Sequence, residues 1–189
     1  MQTRDLRERL APNLDPDPRP YPPPGSRLAA VLVPIVEAGQ PLVVFTRRAD
    51  HLPRHPGEIS FPGGLPHPSD AGLRETALRE TEEELGLPRT AVDVVGALAP
   101  IHTTVSGILI VPYVGMLAAR PSFAPNVGEI AEIFEYPLTE LAEAETEVEL
   151  LREGGVYRGY AYQMPGSRVW GATALILHGL IEILRKEPA

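Results

Sequence analysis

The segment that most limits the fold is residues 71–86. One helix there must bury an apolar side while carrying Glu80, Glu82, Glu83 and Glu84 within five consecutive positions. Leu73, Ala77, Leu78, Thr81 and Leu85 recur at helical spacing and form the less polar side, and Gly86 with Pro88 ends the helix. Positions i, i+3 and i+4 share a helix face, so Glu80, Glu83 and Glu84 project together while Glu82 points elsewhere. Three like charges on one face repel. A hard divalent cation such as Mg²⁺ or Mn²⁺ takes carboxylate oxygens and would relieve that repulsion; a solvated acidic face is the plain alternative. Two neighbours favour the cation. Arg79 precedes the cluster and is placed to orient a carboxylate, and Phe61-Pro62-Gly63-Gly64 forms a glycine loop ahead of the helix. Its backbone can approach a ligand closely because no side chain intervenes.

The rest of the chain supplies a scaffold for such a helix. Residues 3–10 read as a short amphipathic helix. Seven prolines between Pro12 and Pro24 then make an extended stretch, either a linker or an arm packed on the domain or on a partner. This divides the 189 residues into a 1–26 arm and a 27–189 domain. Leu28–Val36 and Pro41–Arg48, joined by Gly39-Gln40, read as a hairpin. Further strands are expected over 58–61, 92–99, 108–117, 148–151 and 156–162, with helices over 137–144 and 170–186. The uncharged run from Val94 to Ala119 is long enough for a membrane span. Pro100, His102, Thr103, Thr104, Ser106, Gly107 and Pro112 break it into two buried strands and a polar loop. The fold class is α+β, an α/β/α sandwich with a mixed sheet flanked by helices. Absence of cysteine excludes disulfides, zinc–thiolate sites, iron–sulfur clusters and a cysteine nucleophile. A net charge of −8 disfavours nucleic acid as a partner. The N-terminus alternates charge with leucine and has no apolar signal region, so a cytoplasmic protein without membrane attachment is expected.

The acidic segment resembles the box of the Nudix hydrolase family. Gly64 opens it, and Arg79-Glu80, Glu83-Glu84, Gly86 and Leu87 close it. Asp70 stands where the family has glutamate, one residue farther from the arginine than usual, and a helix cap is the role its position suggests. Thr81 replaces a bulkier apolar residue. The flanks are similar to members that act as coenzyme A pyrophosphatases. Thr46, Arg48, Ala49, Gly57, Phe61, Pro62, Gly63 and Gly64 match that subgroup's upstream signature, while its second arginine is displaced to Arg54. Thr104-Val105-Ser106-Gly107, Asn126, Glu129, Glu132 and Trp170-Gly171-Ala172-Thr173-Ala174 follow in similar order.

The resemblance implies a Nudix fold and metal-dependent hydrolysis of the coenzyme A pyrophosphate to 4′-phosphopantetheine and adenosine 3′,5′-bisphosphate. It implies Glu80, Glu83 and Glu84 as ligands of Mg²⁺ or Mn²⁺. Glu80 or Glu83, with Arg79, would carry the chemistry. Glu129 and Glu132 are the remote acids; the plain reading of their segment is a surface helix or turn. Arg47, Arg48, Arg54 and His55 form the basic cluster nearest the glycine loop, and with Gly63 and Gly64 they are the candidate substrate contacts. His102 reads as a loop histidine. Other readings stay open: a Nudix pyrophosphatase acting on ADP-ribose or another nucleoside diphosphate derivative, a nucleotide-binding Nudix protein that does not hydrolyse, and an acidic interaction domain. A homo-oligomer is left open.

Overall fold

In the computed structural model, residues 3–103, 106–152 and 155–186 are described; Thr104 and Val105 of the sequence argument lie outside them. A mixed sheet is built on β1 (Arg27–Ala38), which runs parallel to β7 (Ile108–Leu117) and antiparallel to β2 (Gln40–Arg48). On the far side of β7 lie β5 (Asp93–Ala97) and β6 (Ile101–Thr103). Two-residue strands β3 (Ile59–Ser60) and β4 (Gly63–Gly64) pair with β2 and β1, and β8 (Ile130–Pro137) takes the outer edge of β2. A second, antiparallel sheet contains β9 (Glu145–Arg152), β10 (Gly155–Met164) and β11 (Ser167–Val169).

Side-chain alternation along the strands sorts the apolar residues into two layers. Ala30, Leu32 and Val36 of β1 face α2 (Leu73–Leu85) through Ala77, Leu78 and Leu85. Val33 and Ile35 face the opposite side, where α4 (Gly171–Arg185) packs with Ile176, Leu177, Leu180 and Ile181. A third helix, α3 (Leu138–Ala144), adds Leu138 and Leu141 to that layer. The result is the expected α+β sandwich. No helix among the described residues is long and apolar enough to cross a membrane.

Several local readings change. Gly63-Gly64 is not a free loop but a strand paired to Val31 and Ala30. The segment of Glu132 is a strand, because Glu132 stands opposite Arg47 across the β2–β8 ladder; Glu129 sits in the turn before it. His102 lies on β6, within 2.9 Å of Ser26 Oγ. These strands are too short, or too polar on one face, to show period-two patterning.

The N-terminal segment packs on the domain. In α1 (Thr3–Leu10), Leu6 and Leu10 are one helical turn apart and both fully buried against the α4 side. Arg9 donates to the carbonyls of Leu184 and Lys186 at the end of α4. Asp15 then exchanges both backbone hydrogen bonds with Ala97, at 2.8 and 2.9 Å. Leu10→Ala is therefore expected to lower unfolding stability by about 2–5 kcal/mol in urea titrations. The exposed Asp5→Ala on the same helix should stay within about 0.5 kcal/mol of the parent.

Candidate active site

The site is assembled where α2 crosses β4. The helix ends at Gly86, whose φ of 64° is the left-handed conformation, and its N–H caps the Glu82 carbonyl at 2.9 Å. A Cβ there would also lie 2.8 Å from Ala124, so the stop and the following loop are fitted to each other.

Arg79 organises the acidic face. Its Nε and Nη2 donate to the two carboxylate oxygens of Asp70 at 2.9 and 3.1 Å. Nη1 lies 2.8 Å from Glu80 Oε1 and 3.1 Å from Glu83 Oε2, and Nη2 also donates to the Leu65 carbonyl. Asp70 is not a helix cap: Gly72 holds that position without any side-chain cap. Asp70 instead accepts from Arg79, the His67 N–H and the Thr76 hydroxyl. The Arg79 guanidinium, foremost, holds its carboxyl well below the usual carboxylate range. The displaced acid thus has a clear task, and the extra residue before Arg79 is absorbed by the turn at 67–72.

The glutamates divide as the helical spacing predicts. Glu82 points outward to Arg89 at 2.8 Å. Glu80 is half-buried over β4, and a Cβ on Gly64 would sit 2.6 Å from its carboxylate carbon. Gly63 is required for a related reason: its φ is 155°, and a Cβ would approach the Ala30 carbonyl oxygen to 2.4 Å. Glu84 is buried, and the Gly63 N–H donates to its carboxylate. Burial pushes Glu84 up to about 8, helped by the charges of Glu80 and Glu129 and opposed by Arg48 and the Gly63 N–H. Burial also raises Glu80, against the pull of Arg79.

The remote acid Glu129 is brought close enough to raise both groups. Asn126 fixes it, donating through Nδ2 to Glu129 Oε1 at 3.2 Å while its own backbone N–H takes the Glu84 carbonyl at 2.9 Å. Of the basic residues, Arg48 is the one whose charge acts on Glu84. Arg47 is held 3.4 Å from both Glu132 and Asp50, and His55 is 2.9 Å from Glu58. Arg54 is exposed, and its carbonyl receives Arg48 Nε at 3.4 Å. The four do not converge on one point.

A hard divalent cation fits the chemistry of Glu80, Glu83 and Glu84. They offer only carboxylate oxygens, and burial makes the ionised form of Glu84 costly unless positive charge is brought to it. Among the described residues, one set of three donor atoms lies within 4.8 Å of one another: Glu145, His178 and Glu182, on the far side of the molecule. Arg185 already stands between those two carboxylates, at 2.6 and 3.0 Å, and Tyr162 donates to Glu145. That cluster is a completed ion-pair network.

With this geometry in place, the comparisons with known proteins are decisive on family. The model of the NUDIX domain matches residues 25–154. The chain belongs to the Nudix family. Proteins of this Nudix class act on small nucleotides and use divalent metal ions. The chain is 41% identical over 159 residues to the uncharacterized Nudix hydrolase NudL of Yersinia pestis (strain Pestoides F), covering 83% of this chain and 79% of that protein. Its fold is similar to the Nudix hydrolase RenU of M. smegmatis, with a TM-score of 0.58, 18% identity and coverage of 93% and 96%. It is also similar to the MutT protein of Methanosarcina mazei Go1, with a TM-score of 0.58, 17% identity and coverage of 89% and 100%. The chain is therefore a Nudix pyrophosphohydrolase by family.

The raised Glu84 gives a signed prediction. Its folded value, about 8, lies above its ordinary 4.5. The proton it holds stabilises the metal-free fold fully below pH 4.5, and that stability is lost as pH rises to about 8. Glu84→Gln is therefore expected to melt above the parent at pH 8 without metal, by scanning calorimetry. The same variant should bind Mn²⁺ more weakly and lose turnover by orders of magnitude.

Proposed function

We propose that the protein hydrolyses the pyrophosphate of coenzyme A, or of its derivatives, releasing 4′-phosphopantetheine and adenosine 3′,5′-bisphosphate. The observation that carries this reading is the fold of the Thr46–Gly64 flank. Of the residues matching the coenzyme A signature, Gly64 lies against Glu80, the Gly63 N–H donates to Glu84, and the charge of Arg48 acts on Glu84. Thr46 donates to the Ser60 carbonyl at 3.1 Å, locking β2, which carries Arg48, to β3.

Glu80, Glu83 and Glu84 would hold Mg²⁺ or Mn²⁺. When bound, such ions supply positive charge to the pyrophosphate oxygens and make a nearby water more acidic. The chain's own residues do the rest. Arg79 draws Glu80 and Glu83 toward itself and fixes their orientation, which keeps the acidic face ordered when no ligand is present. Arg48 adds fixed positive charge at the phosphate end of the site. Glu129, steadied at one oxygen by Asn126, keeps its other oxygen for a water proton. It is the residue placed to act as general base. Phosphoryl chemistry of this kind needs positioning and charge more than covalent help, which suits a chain with no cysteine.

The test is product analysis with coenzyme A, dephospho-coenzyme A, ADP-ribose and nucleoside triphosphates, with Mg²⁺ or Mn²⁺. Coenzyme A is expected to give 4′-phosphopantetheine with the highest kcat/KM. Loss of the 3′-phosphate should reduce efficiency by roughly ten- to hundredfold. That penalty should disappear in whichever of Arg47→Ala, Arg48→Ala or Arg54→Ala removes the reader of the 3′-phosphate. A clear preference for ADP-ribose overturns the coenzyme A assignment.

A further inference from the structure

Glu129 owes its place to the two peptide units that flank it. A peptide unit is planar, so holding both its C=O and its N–H fixes the whole plane. Fixing the planes on either side of a residue fixes the direction in which its side chain leaves the backbone. The Gly128–Glu129 unit is held at its N–H, which donates to the Asn126 carbonyl at 2.9 Å, and at its C=O, which lies 3.1 Å from His51 Nε2. The Glu129–Ile130 unit is held at its C=O, which accepts the Ala49 N–H at 2.8 Å, and at its N–H, which donates to the same Asn126 carbonyl at 2.8 Å. Three of these four bonds are made by main-chain groups. The fourth is made by the side chain of His51, which lies 77 residues away in sequence from Gly128.

Strand β2 brings His51 there. Between Arg47 and Arg48 the β2–β8 register slips by one residue, so that Arg47 faces Glu132 and Arg48 faces Ile130. Ala49 keeps the new register and meets Glu129. The chain then turns, the Leu52 N–H closing on the Ala49 carbonyl at 3.2 Å, with Asp50 and His51 at the tip. Asp50 reaches back to Arg47, and His51 crosses to Gly128. A carbonyl oxygen can only accept, so His51 carries a proton on Nε2 and donates it to this bond.

We infer that His51 is a positioning residue for Glu129: its imidazole pins the Gly128–Glu129 peptide plane and so aims the Glu129 carboxylate along the acidic face of α2. This rests on the reading of Glu129 as general base. A base must lie within hydrogen-bond reach of the proton it takes, and small misplacements cost rate steeply. Two anchors act on the loop from two sides. Asn126 ties it to α2 through the Glu84 carbonyl and grips one Glu129 oxygen, while Ala49 and His51 tie it to the end of β2. Glu129 is thereby strung between the helix that carries the glutamates and the strand that carries Arg48. His51 is exposed, so truncating it opens no hole in the core and separates aim from stability.

Steady-state kinetics with Mn²⁺, on the best-cut substrate of the panel above, test this. His51→Ala is expected to lower kcat by roughly tenfold, with KM, Mn²⁺ affinity and melting midpoint close to those of the parent. His51→Gln, whose amide nitrogen can donate to the same carbonyl, should recover most of the loss. His51→Leu, which has no donor, should not. In a Glu129→Gln background His51→Ala should cost nothing further, because both losses pass through one carboxylate. Hydrogen exchange at the amides of residues 128–130 should quicken in His51→Ala and slow again in His51→Gln, a readout that needs no turnover. Parental kcat in His51→Ala overturns the inference, as does a Gln variant no better than Leu, a penalty that adds in full to that of Glu129→Gln, or unchanged exchange at 128–130. Parental turnover in Glu129→Gln overturns the general-base reading and the inference with it. A loss in Glu129→Gln with none in His51→Ala overturns the positioning role alone.

Discussion

One guanidinium holds the acidic face of α2 together. Arg79 contacts Asp70, Glu80, Glu83 and the Leu65 carbonyl at once, and its side chain is only 13% exposed. Without it, the poorly solvated carboxylates of Asp70 and Glu80 would stand near Glu83 with their repulsion uncompensated. Glu84 is treated differently. It lies too deep for Arg79 and is left with a backbone N–H and a distant arginine, so its charge is expensive until a cation arrives. The helix therefore separates two jobs. Arg79 gives geometry to the outer glutamates, and burial makes the charge of the inner one costly.

The parts of this arrangement that sequence could show are those governed by helical spacing. Glu80, Glu83 and Glu84 at i, i+3 and i+4 had to share a face, and Glu82 had to leave it; the Glu82–Arg89 pair is the visible result. The role of Asp70 was not legible. It depends on a turn that brings a residue nine positions upstream beside Arg79, and no local periodicity encodes that. The strand β8 was missed because its residues divide between a core face, Phe134 and Tyr136, and an opposite face, Ile133 and Glu135. A strand that places an isoleucine and a glutamate on one face looks like a loop until its partner, β2, is known. The pairing of Gly63 and Gly64 to β1 was hidden for the opposite reason. Residues without side chains carry no pattern at all.

The candidate basic cluster illustrates the same limit. Arg47 and Arg48 are adjacent in sequence, but the strand sends them to opposite faces, and a register shift falls between them on β2. Arg47 is consumed by Glu132 and Asp50, whereas Arg48 reaches the carboxylates. Adjacency suggested a pair, and pleating made two unrelated residues of it.

The matched family region, residues 25–154, leaves out both the helix that begins the described chain and the one that ends it. Yet α1 and α4 lean on each other: Leu6 and Leu10 share a core layer with Leu177 and Leu180, and Arg9 binds the carbonyls at the end of α4. This has a bearing on how the protein is made. A ribosome delivers α1 before α4, so the part of the Leu6 and Leu10 surface that α4 covers stays open until α4 has been made. The α2 layer, whose strands and helix lie within the first 117 residues, can form while the rest of the chain is still emerging. Closure of the other layer waits for the two ends to meet, so the helix bearing the carboxylates is free to take shape before the molecule is sealed.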